Sequence, residues 1–131
     1  MKIEHIGYMV HDPLKVAEWY CQQLGFKVAR GMPTSPFTHF LVDASGNGML
    51  EIYNNPSATV PDYAAMDPLI FHVAFSVGAE TIEQARDRLL AGGATLFSDL
   101  VVTPAGDRLV MMRDPWGMAV QLAERKVPML S

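Results

Sequence analysis

Four side chains of the sequence, His5, Glu51, His72 and Gln121, are of types that together hold a divalent ion, and they stand at matching places in an internal repeat. Two imidazoles, a carboxylate and an amide oxygen form a nitrogen and oxygen donor set suited to Zn(II) or another first-row divalent ion. The match is found by counting. IEHIGYMV laid on IFHVAFSV puts His5 on His72 at an offset of 67, and MLEI laid on AVQL puts Glu51 on Gln121 at an offset of 70. A lone strand histidine is more often a satisfied core residue, and a lone glutamate more often a solvated charge. An accident, however, has no reason to respect an internal repeat. Gln121 adds its own question, because an uncharged amide inside the apolar stretch DPWGMAVQL costs an ordinary core something unless its face is wet or the amide has a task.

The elements that must position these residues follow from period and punctuation. Residues 3–10 alternate, with Ile3, His5, Gly7 and Met9 on one face and Ile6, Tyr8 and Val10 on the other, the pattern of a strand. Asp12 followed by Pro13 opens a helix carried by Leu14, Ala17, Cys21 and Leu24 and stopped at Gly25. Residues 26–30, 37–43 and 49–53 read as three more strands, the last two joined across ASGNG. After the proline-rich stretch NNPSATVPDYAAMDP the series repeats: a strand over 70–77, a helix opened by Thr81 with Gln84 in a capping box and stopped by Gly92 and Gly93, then strands over 94–98, 108–113 and 118–123. In both first strands the histidine shares its face with small residues, while the other face is built to pack on a helix. Placed side by side about a pseudo-twofold axis, the two sheets can bring all four side chains into one concavity. The expected fold class is α+β: two tandem βαβββ modules forming a curved mixed sheet around a central cavity, helices on the outer face.

A chain of 131 residues, half of them apolar, buries one good core, so a single domain is expected over 1–131, with module one at 1–54, a linker at 55–69, module two at 70–125 and a tail at 126–131. Fourteen acids against 10 bases give a net charge of −4, with the bases dispersed, which speaks against nucleic acid and anionic membranes as partners. No apolar run is long enough to span a bilayer and the first residues lack a signal-peptide core, so a cytoplasmic protein is expected. The single cysteine, Cys21, leaves any metal to nitrogen and oxygen ligands.

The chain resembles the vicinal oxygen chelate superfamily, the glyoxalase I, bleomycin resistance and extradiol (ring-cleaving) dioxygenase group. The resemblance rests on IEHIGYMVHDPLKVAEWYCQQLGFKV in the first half and on FHVAFSV, the glycine-stopped helix and RDPWGMAVQL in the second. It implies that His5, Glu51 and His72 match usual metal ligands, that Gln121 falls where many members carry a glutamate, and that the protein is a homodimer. With one carboxylate where relatives often have two, Glu51 is expected to be the sole carboxylate base, and a bound ion keeps a net charge near +1 and polarises a carbonyl more strongly. The reading is a lyase or isomerase of glyoxalase type that uses a divalent ion (Zn, Ni, Fe or Mn) on a small carbonyl substrate. Alternatives are an Fe(II) ring-cleaving dioxygenase built on His5, His72 and Glu51, and a metal-free drug-binding or resistance protein, since a fold does not fix a function. Met9, Met49, Tyr53 and Trp116 are expected to line the substrate pocket, with Met111 and Met112 as further candidates. His39 is a candidate second acid or base there. Residues 98–106, SDLVVTPAG, form either a lid or a plain loop.

Overall fold

The computed structural model describes residues 1–130, which divide into two compact units, Met1–Pro61 and a second beginning at Asp62. The first unit runs β1 (His5–Met9), α1 (Pro13–Leu24), β2 (Lys27–Gly31), β3 (His39–Val42) and β4 (Met49–Tyr53). Its sheet has the order β1-β4-β3-β2, with β1 parallel to β4 and the other pairs antiparallel. The helix starts where the Asp12 carboxylate accepts the Lys15 N–H at 3.2 Å and Pro13 enters the first turn. It ends at Gly25, whose φ of 72° is a left-handed conformation that costs a glycine little. Tyr8, Val10, Leu41, Leu50 and Ile52 of the strands are buried together with Val16, Trp19 and Tyr20 of α1.

The second unit repeats this plan: β5 (Val73–Ser76), α2 (Ile82–Ala91), β6 (Thr95–Val102), β7 (Arg108–Arg113) and β8 (Ala119–Glu124), in the order β5-β8-β7-β6. The chain is thus α+β, two tandem βαβββ modules. The repeat holds at the level of register, for Gly7 pairs with Glu51 in β1 and β4, and Ala74 pairs with Gln121 in β5 and β8. Thr81 and Gln84 form the capping box reciprocally, and Gly92 caps the helix end. Ile82, Ala85 and Leu89 bury against Val110, Met112, Val120 and Leu122. Among the described residues no helix is long and apolar enough to cross a membrane.

Several boundaries differ from those the sequence predicts. The first strand begins at His5, leaving Ile3 exposed, and β5 begins at Val73 because residues 67–70 form a turn in which Asp67 accepts the N–H groups of Leu69 and Ile70. Strand β6 continues through Val102 against β7, so the first half of SDLVVTPAG is sheet, and only residues 103–107 turn, closed by the Thr103 and Asp107 backbone pairing. The stretch before β5 is also tied down. Asp62 caps a short 3-10 turn, Tyr63–Ala65, and the Arg113 guanidinium donates to the carbonyls of Tyr63 at 2.9 Å, Met66 at 2.8 Å and Gly117 at 3.0 Å. Gly117, at φ 93°, must be glycine there: a Cβ would also lie 2.7 Å from that of Ala64.

Ion pairs decorate the second unit, and they set its acid response. Arg88 beside Glu80 holds that carboxyl below its ordinary value. Asp99 is held low by the Leu100 N–H and then by Arg86, and Asp107 by the Lys126 N–H and then by Arg125. A carboxylate with a depressed folded pKa contributes stability that is complete above its unfolded value and disappears as pH falls through the folded one. In the first unit Asp43 behaves so: burial opposes its ionisation, but Ser45 and the N–H groups of residues 46–48 outweigh it. Amide exchange followed downward through about pH 4 should therefore show the second unit losing protection more steeply than the first. Equal pH slopes in the two units would contradict this.

Candidate functional site

The two faces of the first sheet do different work. Positions paired across the strands share a face, so Tyr8, His39, Leu41, Leu50 and Ile52 lie on the side covered by α1, and His5, Gly7, Met9, Phe40, Met49, Glu51 and Tyr53 lie on the other. On that second face the His5 Nε2 is 3.2 Å from the Glu51 Oε2. Gly7, directly across from Glu51, makes this approach possible: a Cβ there would come 2.9 Å from the same oxygen. The edge of the His5 ring meets Phe40, with centroids 5.6 Å apart at 82°. Its Nδ1–H donates to Glu4 Oε2 at 2.5 Å. Two hollows flank the pair, one of about 550 Å³ lined by Pro36, Thr38, Glu51, Tyr53 and Asn55, the other of about 210 Å³ lined by His5, Arg30, Phe40 and Met49.

In the second unit His72 lies just before β5, and alternation from Val73 puts it on the face of Ala74 and its partner Gln121. The His72 Nδ1–H donates to the Pro68 carbonyl at 2.8 Å. Both histidines therefore have Nδ1 engaged by an oxygen, which leaves Nε2 as the lone-pair nitrogen, the usual arrangement of a metal-ligating imidazole. The separation in the first unit also suits a shared cation, because two ligands about 2.1 Å from one ion at a right angle stand about 3 Å apart. In the first unit the His5 and Glu51 donors fit a divalent ion as a pair. Within either unit, among the described residues, no three His, Cys, Asp or Glu side chains gather at ligating distance.

Of the residues predicted to line the pocket, Met9, Met49 and Tyr53 share the face of Glu51. His39 does not. The sequence suggests Phe40 and Val42 as the buried set, but Leu41 is the fully buried residue of β3, so His39 turns toward the helix side and its Nδ1–H donates to the Phe37 carbonyl at 2.7 Å. Met112 is likewise fully buried on the helix side of the second sheet, whereas Met111 pairs with Gln121. Trp116 belongs to the DPWG turn, where its N–H donates to the buried Asp114 at 2.9 Å. Glu4, which the sequence reading passed over, could have been noticed as an acid at the unpaired end of a strand that opens on a candidate ligand.

The model of the Glyoxalase/Bleomycin resistance protein/Dioxygenase superfamily matches residues 2–122. The chain belongs to that superfamily. Among curated proteins none matches it. Among solved structures, SMU.1112c is 27% identical, with a TM-score of 0.70 over 95% of this chain and 98% of that one. TnmS3, an antibiotic binding protein from Streptomyces sp. CB03234, is 16% identical, with a TM-score of 0.73 over 96% of this chain and 97% of that one. The fosfomycin resistance protein FosX from Listeria monocytogenes, in complex with Mn(II) and sulfate, is also 16% identical, with a TM-score of 0.73 over 96% and 91%. At such identities the last two likenesses speak to the superfamily fold alone, and that fold serves an antibiotic binder and a protein complexed with Mn(II).

Proposed function

We propose that the protein is a metal-dependent lyase or isomerase of glyoxalase type, acting on a small carbonyl compound with Glu51 as the proton-transfer base. The observation that carries this reading is the His5 and Glu51 pair, set 3.2 Å apart on the sheet face that α1 leaves open. A divalent ion (Zn, Ni, Fe or Mn) with His5 and Glu51 among its ligands would supply Lewis acidity toward the substrate carbonyl. Glu51 lines the larger hollow, so its carboxylate can take a proton from the carbon beside that carbonyl and return it. Glu4 fixes the tautomer and orientation of His5.

Calorimetric titration of the chelator-stripped chain with Mn(II), Ni(II) and Zn(II) tests the reading. One ion should bind per chain, and His5→Ala should weaken it on the order of 100-fold. Failure of the wild type to take up any of the three ions would leave a metal-free small-molecule binder as the better description.

A further inference from the structure

We propose that Arg30 binds a substrate carboxylate set apart from the reacting carbonyl by a short carbon chain, so that the protein prefers carbonyl acids bearing such a distal carboxylate to those without one. This rests on the reading of His5 and Glu51 as the reaction centre. Among the described residues, Arg86, Arg88, Arg108 and Arg125 each pair with an Asp or Glu, and Arg113 donates to three carbonyls. Arg30 has no such partner; its guanidinium stands over the Phe40 ring, 6.0 Å from the centroid.

Its position is made by an irregularity in the sheet. Val28 pairs with Leu41 and Arg30 with Phe40, so two residues of β2 advance against one of β3 and Ala29 is the extra one. Simple alternation would put Arg30 beside Val28 on the helix side. The bulge turns it to the face of Phe40 and Glu51, where it lines the hollow of about 210 Å³ with His5. Glu4 also borders that hollow, but its carboxylate is engaged by His5 and forms no ion pair with Arg30. An uncommitted guanidinium beside an apolar ring is suited to a planar oxyanion, which it can grip with two parallel hydrogen bonds. Phe40 neighbours both Arg30 and His5, so an acid held by Arg30 and a carbonyl beside His5 would be separated by about the span of one ring, with a short carbon chain between them. The hollow has the volume of about seven waters, enough for such an acid and too little for a nucleotide.

The test compares 2-oxoglutarate with 2-oxopentanoate, which carries a methyl group in place of the distal carboxylate. Affinities are read from NMR shift perturbation on the full chain, with and without Mn(II). The wild type should bind 2-oxoglutarate about tenfold more tightly. Arg30→Gln should erase the difference while metal affinity stays within about twofold, and Arg30→Lys should restore part of it. Equal binding of the two acids by the wild type, or a preference that survives Arg30→Gln, overturns the proposal. A preference that depends on Arg30 in a chain that takes up no metal would sink the metal reading and leave the acid site standing.

Discussion

Glu51→Gln should slow proton exchange at the carbon beside a substrate carbonyl by about 10²- to 10⁴-fold, the range lost when a positioned general base is removed. The reaction is read as deuterium uptake from solvent into a carbonyl acid by the metal-loaded chain, which needs no knowledge of the natural product. Glutamine keeps the shape and one oxygen of the side chain but cannot hold the proton. Because Glu51 is also proposed to bind the ion, metal content must be measured beside the rate, with rates compared per bound ion. An unchanged rate per ion would remove Glu51 from the role of base. The substitution should leave folding nearly untouched, since Glu51 is half-buried on an open face and its loss makes no cavity.

The next residue behaves oppositely. Ile52 is fully buried, paired with Tyr8 on one side and His39 on the other, and faces α1. Ile52→Ala should destabilise the first unit by about 2–5 kcal/mol, the transfer cost of the lost methyl groups plus that of the cavity they leave. Urea unfolding reads the effect as a lower midpoint with an unchanged slope. A loss below about 1 kcal/mol would mean that the core collapses to fill the space. Two adjacent positions on one strand thus separate chemistry from stability, because successive side chains point to opposite faces.

The repeat was readable in the sequence because duplicated strands keep both their alternation and their spacing. Counting aligned Glu51 with Gln121, and the register pairs them with Gly7 and Ala74 at equivalent places. The caps at Asp12, Thr81 and Gly25 were equally legible, being local hydrogen-bond and backbone preferences. The rest depended on irregularity or on contacts at a distance. Arg30 was missed since a bulge breaks the period that alternation assumes. His39 lies on the helix side although Phe40 and Val42 are the apolar neighbours, because apolar character alone does not tell which face of a strand is covered. The hold of Arg113 on Tyr63 and Met66 is made of tertiary bonds with no local pattern to announce them.

The pairing of Gly7 with Glu51 in one repeat, and of Ala74 with Gln121 in the other, also bears on stereochemistry. A carboxylate can hand back the proton it has taken, whereas an amide can do neither. As the proposed base, Glu51 alone would remove and return hydrogen at one face of a planar intermediate, so the configuration at that carbon would be set by the protein and not scrambled. A racemase needs a second proton carrier on the far side. At the matching register of the second unit stand Ala74 and Gln121, and neither side chain can act as a base.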